Sequence, residues 1–298
     1  MKTRREFLSQ TAFASLASGA LLSTAFAQTQ PKKRNLKKAI MFGTVSIPGS
    51  VHEKFVALKE AGFQGVEPNS HMDQDEVLRA RDATGLSICS VCCGTHWAKP
   101  LSDANPSVRQ QGLDGLLQSL RDAKRYGATS VLLVPAVVTK QVSYAQAYER
   151  SQAEIRKAIP LAEELGVKIA IENVWNQFLL SPLEAVRYVD EFNSPAVGWH
   201  FDIGNVINYG WPEQWIRILN KRILKLHIKE YSRSKRDKEG PGKGFAVEFL
   251  QGDNDWPAIM KALDEIGYEG WGIAEQPGAN SLDGARKLSQ EMDRIFAS

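Results

Sequence analysis

The sequence has few cysteines and only one long apolar run, and both features limit the kinds of protein it can encode. Only three cysteines occur among its 298 residues. Cys89, Cys92 and Cys93 crowd one predicted strand, where they cannot readily pair, so a disulfide framework is not indicated. Beyond the N-terminal segment, no stretch reaches the roughly 18 apolar residues that a membrane-spanning helix needs. We therefore expect no membrane anchor in the mature protein.

A strong excess of positive charge is also missing. The formal net charge is +3, and residues 1–27 contribute +2 of it, which leaves +1 for the remainder. Proteins that bind nucleic acids electrostatically concentrate far more basic charge than this. We therefore expect no nucleic-acid partner.

The first 27 residues have the pattern of an export signal. Arg4 and Arg5 precede Phe7 and Leu8, and a stretch rich in small apolar residues leads to Ala25-Phe26-Ala27. This pattern is typical of a twin-arginine signal peptide cleaved after Ala27. An ordinary secretory peptide would give the same destination. We predict a signal at 1–27, a linker at 28–38 and one domain at 39–298, in a protein that is periplasmic or otherwise exported.

From residue 39 onward, short apolar runs alternate with longer amphipathic stretches such as Val51–Glu60 and Val108–Tyr126, which is typical of repeated β–α units. Eight runs are predicted as strands: Ala39–Gly43, Gly65–Pro68, Ser87–Cys92, Ser130–Pro135, Lys168–Asn173, Val197–Asp202, Ile223–Lys229 and Gly270–Glu275. This pattern predicts an α/β fold, a single-domain (β/α)8 TIM barrel. An open doubly wound sheet is the alternative, but Gly43-Thr44-Val45-Ser46 is not its usual Gly-rich phosphate turn. The polar segment Tyr231–Asp253 is predicted to be a long loop over the barrel mouth.

Four consecutive predicted strands deliver a carboxylate or an imidazole to their carboxyl ends. These residues are Glu172, Asp202, His227 and Glu275. Each one alone has a simpler explanation, because an acidic residue after a strand often caps the next helix and a lone histidine is often a core residue. Together, the like charges would repel without a cation between them. The sequence therefore predicts one divalent metal ion. The ligands are mostly oxygen atoms, which suit Mn²⁺ or Mg²⁺. We expect Mn²⁺ first, with Co²⁺ and Zn²⁺ as further alternatives.

At this point the sequence resembles the xylose isomerase-like TIM barrels, and within them the sugar-phosphate isomerase/epimerase and ketose 3-epimerase branch. The resemblance covers most of residues 39–298. It is carried by five motifs in order: Ile171-Glu172-Asn173, Phe201-Asp202-Ile203-Gly204-Asn205, His227-Ile228-Lys229-Glu230, Gly252-Asp253-Asn254-Asp255-Trp256 and Ala274-Glu275. The resemblance implies that the four residues above bind the metal. It also implies that Glu172 and Glu275 act as a catalytic acid/base pair.

The implied reaction is proton abstraction next to a carbonyl, through an enediolate that the metal stabilises. The substrate is expected to be a small sugar or keto-sugar without a phosphate, because the protein is predicted to be exported and sugar phosphates belong to the cytoplasm. Dimers are common among the proteins that the chain resembles, so a homodimer is one expected assembly. The resemblance also implies a substrate-binding arginine six residues after the metal histidine, which is Arg233 here, although a solvated basic run explains it equally well.

One departure from the family pattern leaves the reaction type open. Epimerases of this family usually have a histidine three residues after the metal aspartate, and this chain has Asn205, which can hydrogen-bond a hydroxyl but cannot carry a proton at neutral pH. A lyase or hydrolase acting on 3-keto-glycosides is therefore the alternative. An apurinic-endonuclease-type phosphodiesterase would need more than the five histidines present. A non-catalytic sugar-binding barrel also stays open.

Two further residues are predicted to bind substrate because they follow predicted strands at the barrel mouth. Glu67 ends the second strand, and His96 follows the third. Residues at the carboxyl ends of barrel strands commonly face the active site. The simpler explanation for Glu67 is that it caps a loop.

Overall fold

A computed structural model describes residues 34–298, which form a barrel of parallel strands surrounded by helices. All strand pairs are parallel, in the order β3-β2-β1-β9-β8-β7-β6-β5-β4. The strands are β1 Leu36–Met41, β2 Gly65–Glu67, β3 Ser87–Ile88, β4 Val91–Cys92, β5 Ser130–Leu133, β6 Lys168–Glu172, β7 Val197–Asp202, β8 Ile223–Ile228 and β9 Gly270–Ala274.

The barrel closes at the third predicted strand, which the structure divides in two. β3 pairs with β2, whereas β4 pairs with β5. The Cys92 amide donates to the Pro68 carbonyl at 2.9 Å, and the Ser70 amide donates to the Cys92 carbonyl at 2.8 Å. The two ends of the sheet are therefore halves of one interrupted strand, and the predicted eight-position barrel is confirmed.

Helices follow the strands and cover the outside of the barrel. They are α1 Val51–Glu60, α2 Gln74–Thr84, α3 Pro106–Tyr126, α4 Tyr144–Leu165, α5 Pro182–Asp190, α6 Ile203–Ile207, α7 Pro212–Leu219, α8 Arg233–Glu239, α9 Trp256–Glu265 and α10 Leu282–Ala297. Local sequence sets their ends. Ser50 and Glu53 form a capping box at the start of α1. Gly127 ends α3 with a left-handed φ of 78°, which glycine adopts at little cost.

Alternation along each strand divides its side chains between two environments. Trp199 and Phe201 of β7 belong to the large apolar cluster with Trp215 of α7. His200 and Asp202, the alternate residues, are fully buried and contact residues of β8 instead. Because side chains alternate with period two, polar residues at every second position converge inside the barrel.

Two boundaries differ from the sequence prediction. β1 begins at Leu36 rather than Ala39, and the Arg34 guanidinium donates to Asp264 at 3.0 Å. The last residues of the predicted linker 28–38 therefore belong to the barrel. The segment Tyr231–Asp253 is the predicted β8–α9 connection, but it contains the short surface helix α8 and a 3-10 turn at Pro241–Phe245. α8 forms despite its polarity because Ser232 caps it and it buries no residue.

The predicted signal at 1–27 lies outside the described residues. Within residues 34–298, the helices are too short or too polar to cross a bilayer.

Candidate metal centre

The structure brings the four predicted metal ligands together at the carboxyl ends of neighbouring strands. Glu172 and Asp202 end β6 and β7, His227 lies on β8, and Glu275 follows β9. His227 Nδ1 lies 2.9 Å from Glu172 Oε1, 3.1 Å from Glu275 Oε2 and 3.9 Å from Asp202 Oδ2. One potential ligand atom from each residue lies within 4.8 Å of all the others. These four residues are the candidate metal centre.

Asp202 divides two roles between its carboxylate oxygens. Oδ1 accepts a hydrogen bond of 2.7 Å from the Asn205 amide and caps α6. Oδ2 faces His227 and lies 3.4 Å from Lys229 Nζ. The helix-cap explanation therefore holds for Oδ1, and it leaves Oδ2 available as a metal ligand.

Asn173 fixes the relative position of β6 and β7 beneath the centre. Its Oδ1 accepts from the Asp202 amide at 3.0 Å and from Trp199 Nε1 at 3.1 Å, and its Nδ2 donates to the Asp202 carbonyl at 2.8 Å. Glu172 is thus a potential ligand, and the next residue, Asn173, holds the main chain of Asp202, a second potential ligand, in position.

The centre holds more negative than positive groups. Burial raises the pKa of Asp202 to about 8, and burial also raises the pKa of Glu172 despite the hydrogen bond from His227. Burial opposes ionisation of Glu275 too, but Lys229 and His227 outweigh it and hold the pKa of Glu275 well below its usual range. One lysine and one histidine thus stabilise only part of the carboxylate charge.

A divalent cation would supply the missing positive charge. Carboxylates and one imidazole at mutual ligand distance form a hard, mostly oxygen donor set, which Mn²⁺ and Mg²⁺ favour. Buried like charges of this kind persist only when they are paired or coordinate a cation. The residues present therefore fit a divalent metal ion.

The centre opens into a cavity of about 240 Å³. The lining residues are Met41, Cys92, His96, Trp97, Glu172, Val174, Trp175, Asn205, His227, Lys229, Phe245 and Glu275. Two of the predicted substrate-binding residues, His96 and Asn205, are among them. Small-molecule sites commonly combine apolar walls with a few placed polar groups, and this cavity has both.

His96 presents a defined tautomer to the cavity. Its Nδ1 accepts a hydrogen bond of 3.1 Å from the Val134 amide, so the proton of the neutral ring lies on Nε2. Burial lowers the pKa of His96 to about 4, which keeps the ring neutral. His96 can therefore donate to a substrate oxygen.

Besides Asp202, three neighbours hold Asn205 at the edge of the centre. Its Nδ2 donates to the Asn173 carbonyl at 2.9 Å, and its own carbonyl accepts from Trp175 Nε1 at 3.0 Å. Lys229 Nζ lies 3.5 Å from Asn205 Oδ1. The side-chain oxygen is therefore the group that Asn205 can turn toward a ligand.

Glu67 and Arg233, the other two predicted substrate-binding residues, are absent from the described lining of the cavity. Glu67 is fully buried, with Oε1 2.9 Å from His227 Nε2. The Arg233 guanidinium donates to the carbonyls of Ile207 and Gly210 at 2.9 and 2.8 Å. Arg233 therefore braces the loop after α6, and the structure gives no support for its predicted substrate contact.

Two residues of the site were not among the predicted metal ligands or substrate-binding residues. Lys229 lines the cavity and pairs with Glu275 Oε2 at 2.9 Å. His200 lies inside the barrel with its ring centroid 4.2 Å from that of His227. Lys229 is two residues after His227, and His200 is two residues before Asp202. Because side chains alternate along a strand, this spacing was the signal that could have identified both residues.

The fold and the site together define a TIM barrel with a carboxylate–histidine centre at the carboxyl ends of its strands. The chain belongs to the xylose isomerase-like TIM barrel family, whose pattern matches residues 55–297. The predicted superfamily is therefore confirmed.

Similar proteins and structures include several epimerases. The L-ribulose-5-phosphate 3-epimerase UlaE of Escherichia coli O1:K1 is 24% identical over 259 residues, which cover 82% of this chain and 88% of that protein. The structure of 3-keto-D-glucoside 4-epimerase YcjR from E. coli matches with a TM-score of 0.75 at 18% identity, covering 88% of this chain and 100% of that one. D-allulose 3-epimerase from Methylomonas sp. in complex with D-allulose matches with a TM-score of 0.72 at 16% identity, covering 89% and 98%.

Proposed function

We propose that this protein is a carbohydrate epimerase or isomerase that requires one divalent metal ion, Mn²⁺ in preference to Mg²⁺, Co²⁺ or Zn²⁺. One observation carries the proposal. Glu172 and Glu275 line the same cavity, and each places a carboxylate oxygen within 3.1 Å of His227 Nδ1. The epimerases among the similar proteins support the same class of reaction.

The two glutamates would share the proton transfer. A metal ion bound at the centre supplies electrophilic stabilisation of the negative charge that develops on a substrate carbonyl oxygen. One glutamate removes the proton from the neighbouring carbon, and the other returns a proton to it. His96 and Asn205 hydrogen-bond substrate oxygens and orient the carbon between the two carboxylates.

A sugar without a phosphate group is the proposed substrate class. Among the described residues that line the cavity, Lys229 is the one permanent cation, and it is already paired with Glu275 and Asp202. A phosphate dianion would find no free counter-charge there and would meet the carboxylates instead. Trp97, Trp175 and Phe245 provide apolar faces suited to the C–H surface of a sugar ring.

A second candidate is a lyase or hydrolase that acts on 3-keto-glycosides by the same proton abstraction. The observation that favours it is the position of Trp97, which lines the cavity and is 53% exposed. This side chain extends the apolar wall to the surface, where an aglycone can protrude. Asn205 cannot relay a proton at neutral pH. It is compatible with an elimination, in which the aglycone leaves with a proton and no proton returns to the carbon that lost one.

Incubation with Mn²⁺ in D₂O tests both candidates. A panel of ketoses and 3-keto-glycosides is examined by NMR for deuterium next to the carbonyl and for a released aglycone. We expect deuterium uptake that Glu172→Gln and Glu275→Gln each reduce about 10²–10⁴-fold. Glu269→Gln, on the loop before β9, is the control. Aglycone release without epimer formation would favour the second candidate, and no uptake across the panel would refute the proposed chemistry.

We also propose that the protein is exported through the twin-arginine signal. The support is the Arg4-Arg5 pair followed by the Ala25-Phe26-Ala27 cleavage pattern. N-terminal sequencing of the exported protein should begin at Gln28. Replacing both arginines with lysine should retain the precursor inside the cell, and unchanged export would contradict the proposed route.

A further inference from the structure

The two ring nitrogens of His227 face different parts of the barrel. Nδ1 faces the carboxylates of the candidate metal centre, at 2.9 Å from Glu172 and 3.1 Å from Glu275. Nε2 faces away from them and lies 2.9 Å from Glu67 Oε1. Glu67 is on β2, three positions around the barrel from β8, so this contact crosses the barrel interior.

We propose that Glu67 is a positioning residue for the metal centre: its carboxylate accepts the Nε2 proton of His227 and thereby leaves the Nδ1 lone pair for the metal. A neutral imidazole carries one N–H, so fixing the proton on one nitrogen frees the other as a ligand. A carboxylate behind a metal-binding histidine also fixes the plane of the ring and makes the ligand more basic. Glu67 is fully buried, and its side-chain hydrogen-bond partner among the described residues is His227.

His200 does not compete for the carboxylate of Glu67. Its Nδ1 lies 3.9 Å from Glu67 Oε2, beyond hydrogen-bond distance. Within residues 34–298, neither ring nitrogen of His200 has a hydrogen-bond partner. His227 is therefore the imidazole that Glu67 orients.

The same inner residues could instead hold an ion of their own, since Glu67, His200 and His227 each offer a ligand atom within 4.8 Å of the others. Occupation of both sites would require His227 to bind metal through both nitrogens and therefore to lose both protons. An imidazole that keeps its Nε2 proton on Glu67, and exchanges the Nδ1 proton it shares with Glu172 for the metal ion, explains both contacts without that cost. The number of ions per chain distinguishes the two arrangements.

The first experiment uses the wild-type protein loaded with Zn²⁺, which is diamagnetic. Zn²⁺ binding and stoichiometry are measured by calorimetry, and the tautomer of His227 is read from the ¹⁵N shifts and N–H couplings of histidine-labelled protein, assigned by comparison with His227→Gln. We expect one ion per chain, Nδ1 bound to zinc and the proton on Nε2. A proton on Nδ1, or two ions per chain, would overturn the inference.

The second experiment compares Mn²⁺ affinity in two matched variants. Glu67→Gln removes the charge but keeps the size. We expect the dissociation constant for Mn²⁺ to rise about 10–100-fold, because a neutral amide oxygen is a weaker acceptor for the Nε2 proton. The control is Glu291→Gln on α10, since Glu291 is also buried with an unpartnered Oε2. Glu67→Asp retains a carboxylate and should recover part of the affinity. Circular dichroism establishes that each variant is folded.

The inference rests on the metal centre of the proposed function, but not on the reaction carried out there. If the wild-type protein binds neither Zn²⁺ nor Mn²⁺, the proposed function fails and the role of Glu67 fails with it. If the wild-type protein binds metal and Glu67→Gln binds it equally well, only the role of Glu67 is overturned.

Discussion

Replacing Lys229 with methionine tests the charge balance of the metal centre. Lys229 Nζ lies 2.9 Å from Glu275 Oε2 and 3.4 Å from Asp202 Oδ2, and its side chain is 17% exposed. Methionine retains much of the apolar stem and removes the charge. Removing one partner of a buried ion pair costs about 3–5 kcal/mol. Glu275 is partly exposed and keeps His227 Nδ1 at 3.1 Å, which places this case near the lower limit, about 3 kcal/mol. For a chain of this size, such a loss lowers Tm by roughly 6–12 °C.

Thermal unfolding of the metal-free protein, followed by circular dichroism in EDTA, measures this effect. The control is Lys287→Met, since Lys287 pairs with Glu248 at 2.6 Å but both side chains are more than half exposed. Loss of that surface pair should cost less than about 1 kcal/mol. With saturating Mn²⁺, the deficit of Lys229→Met should shrink, because the ion replaces the lost positive charge. A metal-free Lys229→Met variant as stable as Lys287→Met would refute the reasoning.

Three further predictions concern stability and substrate binding. A Cβ added at Gly252 would lie 2.5 Å from Glu230 Oε1 and from the Tyr231 carbonyl, so Gly252→Ala should lower the free energy of urea unfolding by about 1–3 kcal/mol. Gly242→Ala is the control and should change this free energy little, because no atom of the described residues lies within 4 Å of the added Cβ. Burial lowers the pKa of His96 from 6.5 to about 4, so the unfolded chain binds the proton at a higher pH than the folded chain does. The free energy of unfolding should therefore fall by about 3 kcal/mol as the pH drops from 6.5 to 4. Urea titrations at both pH values should show that His96→Gln lacks this contribution. Trp97→Ala should raise KM for an accepted sugar roughly fivefold, because about 1 kcal/mol of ring stacking is lost. Trp97 is largely exposed, so a thermal melt should show an unchanged Tm. An unchanged KM would show that Trp97 does not contact the substrate.

Periodicity predicted the order of the strands because each buried strand has a local apolar signature. It could not predict the early start of β1, because Lys37 and Lys38 are charged. Lys37 Nζ lies 5.4 Å from the Trp271 ring, and Lys38 Nζ donates to Asp293 at 2.7 Å. These partners are more than 200 residues away in sequence, so only the closed barrel makes a charged strand end favourable.

The site was predictable where the barrel alone brings residues together. Glu172, Asp202, His227 and Glu275 follow from strand order and strand ends. Arg233 shows what residue spacing cannot predict. Its guanidinium contacts main-chain carbonyls at the end of α6 and in the loop that follows, and no local pattern encodes the path of that loop. Glu67 shows a different limit: the strand end was identified, but only the three-dimensional structure reveals that the side chain lies behind His227 rather than in the cavity.

The interrupted third strand has a consequence for the dynamics of the barrel. β2 pairs with β3, and within residues 34–298 the contacts with β4 come from Asn69 and its neighbours. The two ends of the sheet therefore meet through a few main-chain hydrogen bonds. Regions held in this way open locally at lower free energy than continuous strands do. The Glu67–His227 hydrogen bond connects β2 to β8 across the barrel interior and supports β2 next to this junction. A metal ion that immobilises His227 would therefore slow amide hydrogen exchange at Ser70 and Cys92, which couples occupancy of the centre to the closure of the barrel.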